Sequence, residues 1–453
     1  MKKITKLTGI ILSLLIVLSC ISVSFVTAAD DVFTFNTASA YAILIKCRTS
    51  ASGKVEIPST YSGKAVKEIG NNAFANCANI TEIVIPSSVQ KVGSGAFQSC
   101  LSLEKLSFEG AACEIAKSAF LHCSALKSIV LPSQLKSIPD EAFNDCTSLA
   151  SISIPSTVEL IGTEAFKMCT KLTRIDIPAS VKTIRKNAFI GCGAVTAFEV
   201  DPANSVYSDV NGVLYGPFES PYDPKVSSAN TAKTLIQYPG GLSAASFSVP
   251  SDVIIIADYA FGENEKLTGI TLPGGLKRIE AYAFYMCKNL SDITIPSGVT
   301  FIGSQAFGRC GSLKNITVPA SVTSFESAFY DSGLENAVIE NGVKTISVRA
   351  FEKCSGLKSV TIPDSVETIG SGAFYNCTSL GETEIPSSVS LIGTSAFDGC
   401  TSLSIIAEEG SAAYEYAEEN GIAVSQKTEE LSFFQKIINA IIAFFEMIFS
   451  IFM

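Results

Sequence analysis

Cysteine is the residue type whose spacing in this sequence first suggests chemistry. The chain has 14 cysteines in 453 residues, and most of them follow a Phe by three residues in a pattern that recurs about every 23 residues. These residues are Cys77, Cys100, Cys123, Cys146, Cys169, Cys192, Cys287, Cys310, Cys354, Cys377 and Cys400. A structural metal site needs ligands grouped as in C-x-x-C, and the sequence has no such group. It therefore predicts neither a metal nor any other cofactor.

The redox state of these cysteines depends on how the repeats stack. An exported chain with an even number of cysteines ordinarily favours disulfides, and stacked strands would bring neighbouring cysteines within reach of each other. Side chains at equivalent positions of stacked repeats, however, point the same way rather than toward each other. We therefore interpret the column as a reduced structural ladder of small hydrophobic residues, with disulfides as the alternative. Cys47 and Cys113 lie off this ladder and are assigned no role.

Acid–base chemistry has few candidates. The only histidine is His122, and its place in the repeat is taken elsewhere by residues as different as Asp145 and Met168. A Ser-His-Asp or Cys-His arrangement has no other histidine to use as a base. Glu382 and Glu384 are neighbouring carboxylates of the kind that glycosidases need, but a solvated strand face explains them more simply. The sequence thus predicts no catalytic residue and no enzyme.

An Ala-Phe dipeptide sets the phase of the repeat. Its phenylalanines are Phe74, Phe97, Phe120, Phe143, Phe166, Phe189, Phe261, Phe284, Phe307, Phe329, Phe351, Phe374 and Phe397. Counted from each Phe, apolar residues recur at +6, +9, +11, +15 and +18, and the L-x-x-I-x-I part predicts a short strand. Proline at +12 in many copies predicts that strand pairing ends there, and glycine at +19 marks a second bend.

A repeat of this length buries little apolar surface alone, so its copies are expected to stack into one continuous core. Two copies each lose one residue, between Phe325 and Ala328 and between Phe329 and Leu334. Both losses fall at predicted turns and leave the strand phase intact, because a loss within a strand would turn every following side chain to the other face. The pattern predicts a β-rich solenoid: a parallel sheet of 23-residue coils with few short helices.

The form A-F-x-x-C-x-x-L-x-x-I-x-I-P-x-x-V-x-x-I-G resembles the BspA-like branch of the leucine-rich-repeat proteins of bacterial surfaces. The resemblance covers roughly Val55 to Leu403. It implies a curved, parallel-sheet leucine-rich-repeat solenoid and, more loosely, adhesion or binding at a bacterial cell surface. It implies no particular ligand.

The first 29 residues indicate export. Basic residues precede an apolar run over residues 7–26, and V-T-A-A offers cleavage after Ala28 or Ala29. A lipid anchor on Cys20 is the alternative. Removal of the three lysines of this segment would change the formal net charge from −10 to −13, which disfavours nucleic acid as a partner. We expect an exported protein, either extracellular or held at a bacterial cell surface.

Two outward positions of each strand, +8 and +10, are the first candidates for partner binding. Their charged members include Glu82, Lys105, Arg174, Asp176, Asp292, Glu382 and Glu384. Repeat proteins use such extended faces to bind partners. A polar coat that only keeps the sheet soluble is the alternative.

A second candidate lies between the two runs of regular repeats. Residues 198–250 are predicted to be atypical repeats with an Asn-Gly hairpin turn and a projecting loop over residues 216–232. The loop contains Phe218 and Tyr222, and loops on rigid scaffolds often carry function. An inert insertion is the alternative.

The complete predicted order of segments follows from these patterns. It is a signal peptide (1–29), an N-terminal β cap (30–60), leucine-rich repeats (61–197), the atypical segment (198–250), leucine-rich repeats (251–405), a C-terminal cap (406–427) and a hydrophobic amphipathic helix (428–453). The last segment is long enough to associate with a membrane through residues 431–453. Self-association or packing on the solenoid is its alternative role.

The function expected from these observations is that of a non-enzymatic scaffold for adhesion or protein interaction. Its ligand would be a protein or glycan at the cell surface, presented by host proteins, other cells or matrix polymers. One alternative is an accessory or polysaccharide-degrading envelope protein, which would need a cleft with two facing carboxylates. Another is a purely structural envelope component, which would have no saturable ligand.

Overall fold

The computed structural model describes residues 32–217 and 233–426. The chain divides into two compact units, one of Met1–Ala245 with Val253–Lys266 and one of Ser246–Asp252 with Leu267–Met453. In each unit the described residues form a parallel β-solenoid with almost no helix, which confirms the predicted fold class. The predicted signal peptide and C-terminal hydrophobic helix lie outside the described residues.

Each coil has three sides, which we call the front strand (+8 to +11 from the Phe), the back strand (+17 and +18) and the turn side (the A-F-x-x-C segment). In the first unit the front strands are Ser52–Glu56, Asn79–Ile85, Lys105–Phe108, Ser128–Val130, Arg174–Ile177 and Ala197–Val200. In the second unit they are Ser246–Ser248, Gly269–Thr271, Asp292–Ile293, Asn315–Val318, Asn336–Ile339, Ser359–Thr361, Glu382–Glu384, Ser404–Ala407 and Ala423–Gln426.

The back strands are shorter. In the first unit they are Ala42–Cys47, Lys64–Ile69, Lys91–Val92, Glu114–Ile115, Ser137–Ile138, Leu160–Ile161 and Thr183–Ile184, followed by Lys233–Gln237 and Val253–Ile256. In the second unit they are Arg278–Ile279, Phe301–Ile302, Thr345–Ile346, Thr368–Ile369 and Leu391–Ile392. Apolar residues of both strands point inward, so each coil contributes one layer to a continuous core.

Strand register confirms the repeat length. Ile83 pairs with Leu106, 23 residues later in the chain. Ile316 instead pairs with Ala337, 21 residues later, and the pairing remains regular along both strands. Both single-residue losses are therefore absorbed by turns before the front strand, because the strand keeps its inward and outward faces.

Proline and glycine turn the chain between the two strands of a coil. The carbonyl of Pro155 accepts a hydrogen bond from the backbone N–H of Val158 at 3.0 Å, and other coils repeat this turn. At the next bend the preceding coil passes very close. A Cβ on Gly162 would lie 2.4 Å from the backbone nitrogen of Asp140, so only glycine fits there.

The turn side has its own ladder of hydrogen bonds. The N–H of Phe97 donates to the carbonyl of Ala119 at 2.8 Å, and that of Ser99 donates to the carbonyl of Leu121 at 2.8 Å. The residues at −2 and +2 from every Ala-Phe phenylalanine have positive φ, from Asn72 and Asn76 in the first coil onward. These two left-handed residues bend the backbone so that its donors and acceptors face the adjoining coils.

Phenylalanine rings form the centre of the core. In the first array, which we define as the coils of Phe74 to Phe189, successive rings stack at 4.9–5.7 Å between centroids. In the second array, the coils of Phe284 to Phe397, the separations are 5.1–5.5 Å. Phe33 closes the first column edge-on against Phe74. Tyr416 closes the second column edge-on against Phe397.

The first unit begins, and the second unit ends, with a segment that combines coil and cap. Phe33–Asn36 pairs antiparallel with Ala42–Cys47, but Ser52–Glu56 already pairs in parallel with the next front strand. The parallel ladder thus extends into the segment that the sequence assigned to a cap. Near the other end, the one α-helix with bounds in the described residues is Ala412–Glu419, and the hydroxyl of Ser411 accepts a hydrogen bond at its N-terminus.

The atypical segment contains an antiparallel hairpin. Ser208–Val210 pairs with Val213–Gly216, which in turn pairs antiparallel with Lys233–Gln237. After this excursion Tyr238 takes the place of the repeating Phe and stacks on Phe261 at 5.2 Å. Among the described residues, no helix has both the length and the apolar character needed to span a bilayer.

Candidate contact surfaces

The cysteine ladder is part of the core. From Cys100 onward, each ladder thiol with a described bond donates to the carbonyl of the phenylalanine one coil earlier, for example Cys123 Sγ to the Phe97 oxygen at 3.1 Å and Cys377 Sγ to the Phe351 oxygen at 3.1 Å. Cys77, in the first coil, donates instead to the carbonyls of Cys47 and Arg48. All thirteen cysteines of the described residues are free thiols in the structure. The ladder therefore links coils through weak S–H···O bonds, while its reduced state in solution stays a prediction.

Burial makes several thiols of the ladder poor nucleophiles. Desolvation raises the pKa of Cys192, Cys310 and Cys354 to about 12, and it raises that of Cys146 and Cys169 well above the ordinary value. The thiolate is the reactive form of cysteine, so these five buried thiols are poor nucleophiles at neutral pH. Near the two ends of the ladder the pKa of Cys77 and Cys400 is instead lowered, chiefly by hydrogen bonds with the Cys47 and Cys377 thiols respectively. Among the described residues, no group of three or more His, Cys, Asp or Glu side chains could hold a metal ion.

The front strands place most of the predicted contact residues in the outward columns. Lys105 lies 3.6 Å from Glu82 on the adjacent strand. Arg174 lies 2.5 Å from Asp176 on its own strand and 2.9 Å from Glu199 on the next. The structure thus brings these charges together in pairs that run along and across the strands.

Other predicted contact residues stand in separate coils. Asp292 is exposed on Asp292–Ile293. Glu382 and Glu384 are exposed on either side of buried Thr383. Their side chains share one face of a strand and line no described cavity. The contact role of all seven front-strand residues remains a prediction, and Phe218 and Tyr222 lie outside the described residues.

The histidine belongs to an exposed pair of turn residues. His122 Nδ1 lies 3.0 Å from a carboxylate oxygen of Asp145, which holds the same turn position in the next coil. Ser99 holds that position in the preceding coil, so the column has the residue types of a catalytic triad. No hydrogen bond joins Ser99 to His122 within the described residues, and about half of the His122 side chain is exposed. We interpret the three as turn residues.

Two cavities in the described residues bear on the requirement for paired acids. One of about 70 Å³ lies beside Phe189 and Tyr238 within the first unit, and Glu263 is its only carboxylate. A shallower one of about 460 Å³ lies over Cys113, with Glu114 as its only carboxylate. Neither offers the two facing carboxylates that glycoside hydrolysis requires.

The turn side of the second array carries a surface that sequence reasoning missed. Tyr285, Tyr330 and Tyr375 all hold the position directly after the repeating Phe, in every second coil. We call these three residues the tyrosine row. Tyr375 is 37% exposed, and the other two are half-buried. The signal in the sequence is the position directly after the repeating Phe, where the aligned repeats of the second array show Tyr in every second coil. The outward strand positions do not contain it.

The first ring of the row is held from two sides. Tyr282 packs edge-on against Tyr285 at 5.4 Å between centroids. Gly308, one coil later, provides space on the other side, because a Cβ there would lie 3.1 Å from Tyr285 Cδ2. The guanidinium of Arg309 lies 6.0 Å from the centroid of the same ring.

Charged side chains surround the second ring. Lys353 Nζ donates to the Tyr330 hydroxyl at 2.8 Å and lies 5.0 Å from its ring centroid. Arg309 lies 3.3 Å from Asp331, and Arg349 lies 3.6 Å from Glu352. Arg309 and Arg349 are thus paired with carboxylates, whereas Lys353 contacts a neutral hydroxyl. The surface is polar, and most of its positive charge is balanced.

The backbone fixes the spacing of the row. The N–H of Arg309 donates to the carbonyl of Tyr330 at 2.9 Å, and that of Lys353 donates to the carbonyl of Tyr375 at 2.7 Å. The tyrosines are thus carried by a paired ladder rather than by a free loop. Such an arrangement can present aromatic rings and hydrogen-bonding groups at a fixed repeat distance.

The family comparison matches the repeats directly. The BspA type leucine rich repeat region matches residues 67–196, 240–328 and 325–437, in six copies. These ranges cover more than half of the chain. Among curated proteins, none matches the chain significantly.

Similar solved structures come from several bacteria. A leucine rich cell surface protein from Faecalibacterium prausnitzii is 27% identical over 88% of this chain and 98% of its own, with a TM-score of 0.55. A leucine-rich repeat protein from Eubacterium ventriosum is 25% identical over 80% of this chain and 91% of its own, also with a TM-score of 0.55. The pneumococcal vaccine antigen PcpA is 19% identical over 87% and 96%, with a TM-score of 0.53, and is similar in fold alone.

Proposed function

Because the chain belongs to the BspA type leucine-rich-repeat family, we propose that it is an exported, non-enzymatic scaffold that makes contacts at a bacterial cell surface. Its partners would be host proteins, other cells or matrix polymers. The family suggests a protein-interaction scaffold, and the finer statements of location and adhesion are our proposal. They rest on the predicted signal peptide and on the similar cell surface protein of Faecalibacterium prausnitzii.

The observation that carries the proposal is the contrast between inner and outer columns. The inner columns repeat Phe, Cys, Leu and Ile in a sealed core, while the outer positions of the same coils vary and carry charge. In such a coil the constant inner residues pack against the neighbouring coils, and the variable outer residues are free to contact a partner. Nothing in this division requires a substrate cleft.

A binding screen tests the proposal. The full chain would be immobilised and exposed to extracellular-matrix proteins, glycans and whole bacteria, with binding followed by surface plasmon resonance or cell counting. We expect at least one saturable ligand. Binding that rises linearly without saturation for every member of the panel would contradict a scaffold and favour a structural envelope component.

The front strands supply a matched pair of variants. Lys105→Glu reverses a charge beside Glu82 on the front strands. Lys91→Glu makes the same change on a back strand, where Lys91 lies 2.8 Å from Glu68. If the front columns contact the ligand, K105E weakens its binding by about tenfold and K91E leaves it nearly unchanged. Equal effects would exclude the front face as the contact surface.

Two further proposals concern segments outside the described residues. The loop with Phe218 and Tyr222 is a candidate contact site, and deletion of residues 216–232 is then expected to reduce adhesion. Residues 428–453 are proposed to hold the protein at a membrane or envelope. Cell fractionation with and without this segment tests the second proposal, since equal release into the medium would contradict an anchor.

A further inference from the structure

We propose that the tyrosine row, Tyr285, Tyr330 and Tyr375, binds a neutral β-1,4-linked polysaccharide lying along the turn side of the second array. The proposal deepens the proposed function, on which it rests, because it names the ligand class and the residues that would hold it. It concerns only residues of the second unit.

The spacing of the rings is the first argument. The phenylalanines that directly precede the row stack at 5.2–5.5 Å per coil, and the tyrosines occupy every second coil. Two coil spacings are about 10 Å, which is close to the length of one disaccharide in an extended β-1,4-linked chain. In such a chain alternate sugars turn the same face to one side. Three tyrosines can therefore stack on three equivalent sugar faces.

The chemistry of the row is the second argument. A sugar ring presents an apolar face of C–H groups and an edge of hydroxyls, so its usual recognition needs an aromatic ring beside hydrogen-bonding side chains. Here two of the three rings have such neighbours. Tyr282 and Arg309 flank Tyr285, and Lys353 contacts Tyr330. A ring held in this way loses little conformational entropy when a ligand stacks on it.

Charge selects a neutral polymer. Arg309 and Arg349 are each beside a carboxylate, of Asp331 and Glu352 respectively. Of the three cations beside the row, only Lys353 has a neutral partner, the Tyr330 hydroxyl, so the surface lacks the cluster of positive charge that a polyanion needs. The whole chain has a formal net charge of −10, which repels polyanions at long range. Neutral hexose and N-acetylhexosamine chains satisfy both conditions.

Isothermal titration calorimetry of the full chain tests the proposal. The probes are cellohexaose, mannohexaose and N-acetylchitohexaose, which are β-1,4-linked, and maltohexaose, which is α-1,4-linked and curved. We expect saturable binding of at least one β-1,4-linked hexaose and at least about tenfold weaker binding of maltohexaose. Loss of one stacked ring in Tyr330→Ala is expected to weaken binding by about tenfold, whereas Tyr330→Phe, which keeps the ring, stays within about twofold.

Spacing is tested separately from composition. The double variant Glu352→Tyr with Tyr375→Glu keeps the residue content but moves one ring to the adjacent coil. Its affinity is expected to fall to that of Tyr375→Ala. The matched control is Gln98→Ala, which changes the equivalent +1 position in the first array and is expected to bind as the unchanged protein does. Thermal unfolding monitored by circular dichroism checks that each variant is folded.

The outcomes separate this inference from the proposed function. Absence of binding by all β-1,4-linked hexaoses, or affinity unchanged in Y330A, overturns the glycan site. If the tyrosines are needed only for a protein partner found in the wider screen, the glycan site is also wrong while the scaffold proposal stands. If the wider screen finds no saturable ligand of any class, the scaffold proposal fails as well.

Discussion

The two arrays share an interior and differ on their turn sides. In both, stacked phenylalanines are separated by about one strand spacing and thiols donate to the carbonyls behind them. Directly after those phenylalanines the first array has Ala75, Gln98, Leu121, Asn144, Lys167 and Ile190. The second array has Tyr285, Gly308, Tyr330, Glu352, Tyr375 and Asp398. The interior therefore fixes where a side chain stands, and leaves the identity of outer residues to function.

The largest expected loss of stability occurs at alkaline pH and is common to the interiors of both arrays. Because burial raises the pKa of Cys192, Cys310 and Cys354 to about 12, from about 9 for an exposed thiol, the folded state binds more protons than the unfolded state between these values. Stability is therefore full below pH 9 and falls as the pH rises toward 12, by several kcal/mol in total. Circular dichroism against pH measures the loss.

Thiol labelling provides the control for this titration. Without reductant, a thiol reagent is expected to label the native protein slowly at pH 8 and to label it fully when denatured. Labelling should increase over the same pH interval in which the circular dichroism signal is lost. A count near zero in denaturant would show that the ladder is oxidised and would remove the basis of the prediction.

Truncation of a phenylalanine ring in the middle of a column is expected to cause the next largest loss of stability. Phe143 stacks between rings at 5.3 and 5.5 Å in the first array, and Phe329 between rings at 5.5 and 5.2 Å in the second. Phe143→Ala and Phe329→Ala are each expected to lower the free energy of unfolding by about 3–5 kcal/mol. Urea unfolding compares them. Losses of unfolding free energy that differ by more than about 2 kcal/mol between the two variants would show that the two interiors are not equivalent.

Substitutions at the turn positions with positive φ are expected to cause the next largest loss of stability. Asn376 has φ of 60° at the +2 position, a conformation that a β-branched residue adopts only with strain. Asn376→Val is expected to lower stability by about 1–2 kcal/mol, while Asn376→Gly remains within about 0.5 kcal/mol. Thermal and urea unfolding measure the loss of stability in the two variants. Equal losses would show that the contacts of the Asn376 amide, rather than its positive φ, determine which residue is tolerated there.

The smallest expected change in stability tests the outer difference directly. Gln98→Tyr combined with Asn144→Tyr gives the first array two tyrosines in alternate coils. Both positions are half-buried at the edge of the turn side, and only Asn144 has a described side-chain hydrogen bond, a long one to Glu164. Stability is therefore expected to change by less than about 1 kcal/mol, and titration should detect added β-1,4-glycan binding in a Y330A background. A graft that folds but does not bind would show that neighbours such as Tyr282 and Gly308 are needed as well as spacing.

The fold could be predicted because the inner columns allow so few residue types. Phe, Leu and Ile at fixed intervals identify the coil, and the register between Ile316 and Ala337 confirms that deletions fall in turns. Tyr238 continues the Phe column one full repeat before Phe261. The Ala-Phe pattern does not include it, because the aromatic residue at this position is Tyr.

The turn side could not be predicted in the same way. At +2, residues as different as Met168 and Asp145 share a positive φ of about 60°, because paired backbone groups hold the conformation whatever the side chain. Residue type therefore gives little sign of this geometry. The tyrosine row was readable as a column, but its significance depends on ring orientation and on neighbours such as Arg309, which periodicity does not describe.

The edge-on rings at the two ends of the aromatic columns have a consequence for how such a protein changes over generations. Phe33 and Tyr416 each turn away from the parallel stack, so neither end offers a flat ring to a further coil. Duplication or loss of whole coils is then accommodated only within an array, where successive coils pack on each other in the same way. The number of coils can change while both terminal surfaces persist, and a row with one ring in every second coil is lengthened by two coils at a time.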